Sequence, residues 1–434
     1  MDNTELISKK DICINSSSIL CAYIQIPFCR TVCHFCCWSN YYNKSEMLSL
    51  DRYRDSYIQA LKREIRARSL SFHEKDQVDL KVIHFGGGSP SLLEPEELKD
   101  ILHTLIKSFA VQLDQVMTVG VEVRPDDLTP EMLDGLKSAG FNRISIGVQS
   151  FDPTILKRLG RRIPVEQIYQ TFDLVRAAGF KDINIDLLYG FPFQTFEHIV
   201  KDIDSVIKLD PDHIDAHPWK PVPGPLYKEI EGNYQKDKAN KVAWTRYMHD
   251  RLQESGYVNY NHRCFAKPGK ENLMHLVEAT YCLPFLAFGA GCEQYHYAKT
   301  TTSIEEYIDD PFTSELYTKS YSDSYEFNLL WFIGSMIRLL LLPEGLNIRY
   351  FNEKYNCDLE DIISFYRNPD NMNRELKKYK DTRFFLFEAS RIQIFKKMLH
   401  WMDSGIIEKR GEYLCLVDDY KISQETWVLY MQAC

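Results

Sequence analysis

The sequence is short of the features that would place it on nucleic acid or in a membrane. It has no excess of basic residues: 52 Lys and Arg stand against 61 Asp and Glu, a net charge of −9. A nucleic-acid partner calls for a basic face. No apolar run has the roughly 20 residues that a bilayer span requires. The most apolar stretch, Phe327 to Leu342, is interrupted by Asn328 and Arg338 and closed by Pro343, which predicts a buried helix. Met1 to Lys10 is polar and lacks the apolar core of a secretory signal. There is no low-complexity tract. The chain also lacks a second C-x2-C pair, so the paired spacing of structural zinc sites is missing. One H-x3-H is present, His213 and His217, but far along the chain from the first thiols. Twelve cysteines without a leader imply a reducing, cytoplasmic setting, with the thiols free or on a metal.

What the sequence has is concentrated in Tyr23-Ile24-Gln25-Ile26-Pro27-Phe28-Cys29-Arg30-Thr31-Val32-Cys33-His34-Phe35-Cys36-Cys37. This reads as a buried strand running into a loop with thiols spaced C-x3-C-x2-C. Thiolates suit iron–sulfur clusters and zinc. Three thiols fill three corners of a [4Fe–4S] cluster and leave one iron open, whereas a zinc knuckle wants four protein ligands. The spacing favours the open-cornered cluster, on Cys29, Cys33 and Cys36.

From Cys21 to about Lys220, apolar runs alternate with amphipathic stretches. Strands are predicted at Ala22–Pro27, Lys81–Phe85, Thr118–Val123, Arg143–Val148, Asp182–Leu188 and His213–His217. Helices are predicted at about Asp51–Arg68, Pro95–Phe109, Pro130–Ala139, Val165–Ala178 and Phe196–Leu209. The alternation implies an α/β fold of parallel strands with right-handed crossovers; six units make an incomplete barrel. Ligands then sit at the carboxyl ends of the strands. Those ends carry Gly86-Gly87-Gly88-Ser89-Pro90, Glu122, Gln149 and Asp186, with Arg161 beyond the fourth strand. Three glycines in a row let backbone approach a ligand and expose N–H groups, or simply form a flexible turn. His213 and His217 share one face of the sixth strand, with a structural role expected for both.

The three-thiol spacing, with Phe35 before the last cysteine, resembles radical S-adenosylmethionine (SAM) enzymes. Tyr-Ile-x-Ile-Pro-Phe-Cys is similar to their oxygen-independent coproporphyrinogen III oxidase-like branch. The resemblance implies an incomplete (βα)6 radical SAM barrel with a mainly helical C-terminal accessory domain ending in a small winged hairpin. It implies a [4Fe–4S] cluster beside Phe35, and a Gly86–Ser89 loop that binds the SAM amino group. It further implies that Tyr23, Glu122, Gln149, Arg161 and Asp186 contact that SAM. Phe265-Ala266-Lys267-Pro268-Gly269 and Leu286-Ala287-Phe288-Gly289-Ala290-Gly291-Cys292 also resemble the branch, which places a second SAM near Phe265, Ala266 and Gly289. The expected boundaries are a tail at 1–20, the core at 21–300 and an accessory domain at 301–434 that covers the barrel opening. Helices are expected there at Leu346–Tyr355 and Arg391–Ser404, followed by a hairpin over Gly405 to Leu414.

Departures from the branch bear on the reaction. Coproporphyrinogen oxidases carry a further C-x-C cysteine; here Cys37 follows directly and Trp38 takes that place. They also have a longer segment ahead of the first strand. The haem-binding run His-Asn-Leu-x-Tyr-Trp of the chaperone relatives corresponds to Glu271-Asn272-Leu273-Met274-His275-Leu276, which keeps Asn-Leu and loses the rest. What remains resembles class C radical methyltransferases: methyl or methylene transfer from a second SAM to an unsaturated or aromatic substrate, with tetrapyrroles as candidates. Coproporphyrinogen dehydrogenation and non-catalytic haem carriage are the alternatives. A small-molecule substrate and a flavodoxin- or ferredoxin-like electron donor are expected, without nucleic acid. No residue is assigned to the bond-making step.

Overall fold

Period-two alternation organises the architecture. In the computed structural model, which describes residues 18–36, 43–71, 78–219, 238–261, 263–280, 286–291, 293–294, 297–298, 303–311, 340, 345–355, 358–368, 370–371, 374 and 395–416, one nine-stranded sheet dominates. Its strands are β1 (Ile19–Ile26), β2 (Val78–Gly87), β3 (Thr118–Val123), β4 (Arg143–Gln149), β5 (Ile183–Tyr189), β6 (His213–Pro218), β7 (Val258–Asn261), β8 (Cys264–Ala266) and β9 (Leu286–Phe288). Their order is β7-β8-β6-β5-β4-β3-β2-β1-β9. The six strands expected from the sequence are all present and parallel, in consecutive order. Three more extend the sheet: β9 lies parallel to β1, and β8 and β7 continue antiparallel beyond β6.

Helices α1 (Leu50–Ser71), α2 (Pro95–Ser108), α3 (Pro130–Ser138), α4 (Pro153–Arg158), α5 (Val165–Ala177), α6 (Phe196–Leu209) and α7 (Lys238–Glu254) carry the connections. Local chemistry starts several of them. Pro130 follows an N-cap Thr129 that accepts from the Met132 N–H, and Pro153 follows Asp152, which accepts from Thr154 and Ile155. One face of each strand is apolar: Ile24, Phe85, Val121, Ile146, Ile185 and Ile214 join a single core with the helices. The alternate positions, among them Gln25, His84, Glu122, Ser145, Asp186 and Asp215, form the opposite, polar face. Buried parallel strands are usually apolar on both faces, so the polar interior marks a functional surface. Its lower part is closed by a smaller apolar cluster of Leu20, Cys21, Cys264, Ala266, Leu273 and Leu276, the last two from α8 (Leu273–Thr280).

One charged pair anchors β4 to the turn before β5. Arg143 is 1% exposed and ion-paired with Asp182, and burial of the guanidinium makes that partner indispensable. Asp182→Asn is therefore expected to lower stability by about 3 kcal/mol. An unchanged denaturation midpoint would show that the pair contributes nothing.

Further along, the two-residue strands β10 (Glu293–Gln294) and β11 (Tyr297–Ala298) pair, and α9 (Ile304–Asp309) packs on α1. A three-stranded antiparallel sheet then joins β12 (Leu346–Asn347), β13 (Ile407–Arg410) and β14 (Tyr413–Leu416). The helix expected from Leu346 starts only at Ile348, as α10 (Ile348–Tyr355), because Leu346 and Asn347 pair with Leu414 and Tyr413. Helix α11 (Leu359–Arg367) follows. The expected hairpin is β13–β14, with Gly411 at φ +63° in its turn. Of the helix expected at Arg391–Ser404, residues 395–403 are described and helical. The apolar run from Phe327 lies outside the described residues, Leu340 excepted.

Candidate active site

The thiol-bearing loop leaves the C-terminal end of β1 and is pinned at almost every residue. The Cys29 N–H donates to Met47 O at 3.0 Å and the His34 N–H to Leu159 O at 3.0 Å. Arg30 Nε donates to Asp127 at 2.7 Å, Arg124 reaches Thr31 Oγ1 at 3.1 Å, and Ser91 holds the other Asp127 oxygen at 2.9 Å. Gly160, at φ +76°, passes so close to the His34 ring that an added Cβ would stand 3.1 Å from it. Arg161 Nε lies 3.1 Å from Cys33 Sγ, its Nη1 donates to Gly147 O at 3.1 Å, and its guanidinium carbon is 5.8 Å from the Phe35 ring centre. Arg161, expected to contact SAM, is thus also a direct neighbour of the thiols.

The triple glycine serves a purpose that the sequence did not reveal. A Cβ at Gly86 would fall 2.3 Å from Glu122 Oε1 and 2.4 Å from the Tyr23 hydroxyl; one at Gly87 would meet the Gln25 amide at 2.3 Å. At Gly88 it would strike the Phe28 carbonyl oxygen at 2.4 Å. The expectation that this loop exposes its N–H groups is corrected. Gly87 donates to Glu122 at 3.2 Å, Gly88 to Ile26 O and Ser89 to Phe28 O, both at 2.7 Å. The glycines therefore let β2 press against the end of β1 and gather Tyr23, Gln25 and Glu122 around one point. His84 completes the group, its Nε2 3.1 Å from Glu122 and its ring stacked on Tyr23 at 5.8 Å.

On the next strands, Gln149 is buried and sits at φ +75°, where the β4–β5 register slips between Gly147 and Gln149. A non-glycine residue held there is strained backbone of the kind that collects at binding sites. Gln149 Nε2 and Arg161 Nη2 lie 3.0 and 3.7 Å from where a Gly147 Cβ would be. Asp186 accepts from Ser145 Oγ and from Asn184 at 2.7 Å. Burial first, then the charges of Asp215 and Glu122, push its carboxyl up to about 7.

The residues expected around a second SAM are divided. Gly289 follows β9, at φ +110°, directly against β1: an added Cβ would meet Gln25 Cβ at 2.7 Å and its carbonyl oxygen at 2.8 Å. Gly289 donates to Glu64 at 2.9 Å and Ala290 to the Tyr57 hydroxyl, which itself donates to Gln25 O. Ala266 faces the interior, in the cluster that Tyr23 flanks. Phe265 does not: its side chain belongs to the outer core and packs on His249 at 4.7 Å. It sits within β8, paired to Ile214, rather than in an open turn. Cys37 and Cys292 lie outside the described residues.

The donor set fits an iron–sulfur cluster. Burial, reinforced by Cys33, pushes the Cys29 thiol up to about 11, against the pull of Ser89, Arg124 and Arg161. Such crowded thiols lose their protons when a metal replaces them. The two guanidiniums would balance the charge so created. Gln25 adds an orphaned buried amide: it is fully buried and neither its Nε2 nor its Oε1 has a partner, as expected of a group aimed at a ligand. Sequence reasoning missed Gln25, His84, Arg124 and Asp127. The inward alternation on β1 and β2 was the available signal for the first two; nothing local marks the others.

The chain has relatives among known proteins. Residues 23–206 match the radical SAM superfamily. The chain is 30% identical to the Heme chaperone HemW of Bacillus subtilis over 354 residues, covering 79% of this chain and 88% of that protein. It is 29% identical to an oxygen-independent coproporphyrinogen III oxidase of Helicobacter pylori over 319 residues, 73% of this chain and 67% of the relative. The fold matches coproporphyrinogen III oxidase (HemN) from Escherichia coli with a TM-score of 0.69 at 18% identity, over 97% of this chain and 92% of that one. Among the described residues, no helix is long and apolar enough to cross a membrane.

Proposed function

Because this chain belongs to the radical SAM superfamily, in the branch of the HemW chaperones and the oxygen-independent coproporphyrinogen III oxidases, we propose that it is a radical enzyme acting on an unsaturated or aromatic small molecule. The cluster ligands in this reading are Cys29, Cys33 and Cys36. SAM lies against Gly86–Ser89, Tyr23, Glu122, Gln149, Arg161 and Asp186. With cluster, SAM and a reducing electron donor in place, the chemistry supplied is a 5′-deoxyadenosyl radical. Further, the reading is methyl or methylene transfer from a second SAM, with tetrapyrroles as candidate substrates.

The single observation that carries this is the wedge at Gly86, where Tyr23 and Glu122 converge on a point that only glycine leaves open. Each residue then has a physical task. Glu122, partnered by His84 and the Gly87 N–H, is held as an acceptor for a cationic or hydroxyl group. Tyr23 covers it from β1. Arg161 and Gln149 present donors on the far side, and Asp186 stays within reach of ribose-type hydroxyls. Beneath them Leu273, Met274 and Leu276 are all at most 2% exposed and exclude water, which protects a radical from quenching. Gly289 leans on Gln25 on the reverse side of the same wall, which supports two cofactor-binding loops sharing β1.

The test is anaerobic reconstitution with iron, sulfide, SAM, dithionite and candidate tetrapyrroles, followed by mass spectrometry of the nucleosides. Methyl transfer predicts 5′-deoxyadenosine together with S-adenosylhomocysteine. Deoxyadenosine alone would replace it by oxidative decarboxylation of the coproporphyrinogen type. Stoichiometric haem binding with neither product would overturn the enzymatic reading in favour of a haem carrier.

A further inference from the structure

Below the mouth, the interior holds a second constellation of metal-ligating side chains. Strands β6 and β8 run antiparallel with Asp215 opposite Cys264, and α8 brings His275 to the same point. Cys264 Sγ is 2.8 Å from Asp215 Oδ1, and His275 Nε2 is 3.0 Å from Oδ2. His213 Nδ1 stands 3.9 Å from that same oxygen. The ligand atoms of His213, Cys264 and His275 all lie within 4.8 Å of one another. His213 and Cys264 are completely buried and Asp215 is 2% exposed.

We propose that these four residues, Cys264, His275, Asp215 and His213, form a binding site for a borderline-soft divalent ion of the zinc type, distinct from the three-thiol loop. One thiolate, two imidazoles and one carboxylate are a tetrahedral zinc donor set. Charge supports the same choice. Asp215 accepts the Cys264 thiol proton and pairs with His275; a dication entering here expels the thiol proton and the proton shared by His275 and Asp215. The thiolate and carboxylate then cancel the charge of the ion, as a site sealed from water requires. Outer partners are in place to orient a ligand. His213 Nε2 meets the Tyr260 hydroxyl at 2.5 Å, and the Asn272 N–H donates to that hydroxyl at 3.1 Å. His213 Nδ1 is 2.6 Å from Asn184 Oδ1, a bond that coordination would replace together with those of Asp215 to Cys264 and His275. His275, the least buried of the four with a side chain 15% exposed, gives the path of entry. Thiol, carboxylate and imidazole meeting on three separate elements are costly to bury as a merely structural network.

The test uses the full chain with its cluster reconstituted, incubated with one equivalent of Zn2+ and desalted. Elemental analysis is expected to give one zinc per chain beside the iron. Zinc-edge X-ray absorption is expected to show one sulfur at about 2.3 Å with nitrogen and oxygen at about 2.0–2.1 Å. Cys264→Ala and His275→Gln should each lower retained zinc by more than about tenfold and leave the iron content unchanged. Failure to retain zinc in the wild-type protein would overturn the proposal, as would an all-sulfur zinc environment or zinc retained in both variants. The wild-type spectrum decides the matter even where a variant fails to fold.

Discussion

Cys33→Ala is expected to leave the anaerobically reconstituted protein colourless, with its iron at background. Three thiols are the fewest that hold a cubane with one vacant iron, so two cannot replace the third by rearrangement. The loop cannot supply a substitute by moving, because Cys29 is tied to Met47, Arg30 and Thr31 to the turn after β3 that carries Arg124 and Asp127, and His34 to Leu159. Cys33 is 8% exposed, beside Arg161; a methyl group there also removes the sulfur that Arg161 faces. Iron analysis and electron paramagnetic resonance measure the effect. A normal iron content would refute the ligand assignment. Cys37→Ala is the matched control: it should keep the brown colour, and loss of the cluster there would mean that Cys37 belongs to the trio.

The glycines at the end of the second strand and just beyond it offer the other large effect, and two of them should fail differently. Gly86→Ala drives a methyl group into Glu122 and Tyr23 at 2.3 and 2.4 Å. Both are side chains that can swing away, so the fold and the iron should survive. The cofactor contacts should not, and SAM affinity is expected to fall at least about tenfold, about 1.4 kcal/mol. Gly88→Ala instead meets backbone, the carbonyl oxygens of Phe28 at 2.4 Å and Ile26 at 2.9 Å. Main chain cannot rotate aside, and Phe28 directly precedes Cys29. Here iron loading itself should be lost. Calorimetric SAM titration with parallel iron analysis separates the two; unaltered SAM affinity in Gly86→Ala would reduce the triple glycine to an ordinary turn.

Much of the parallel sheet was legible because its strands are short, apolar and separated by capped amphipathic helices. The six parallel strands and their five helices could be written down from periodicity alone. The edges could not. Strand β9 is three residues, Leu286–Phe288, and β8 is three, Cys264–Ala266; runs so short carry no periodic signal and exist only through their neighbours. The same limit explains Phe265. In a turn its side chain could serve a ligand, but pairing with Ile214 fixes its direction and sends it outward. Local sequence does not encode that parity. The mouth residues were placed by the rule that strand ends carry ligands. The buried group of His213, Asp215, Cys264 and His275 was not foreseen, because its members are scattered over β6, β8 and α8, and only the fold brings them within reach of one carboxylate.

The seating of β9 against β1 has a consequence for assembly. The strand that delivers the thiols stays an unprotected edge on one side until residues synthesised far later come back to cover it. Contacts between segments so distant in the chain are slow to form, so the nascent protein passes through a stage with an open, sticky border beside its clustered thiols. Recombinant yield should therefore depend on temperature and oxygen during synthesis more than on the stability of the finished molecule.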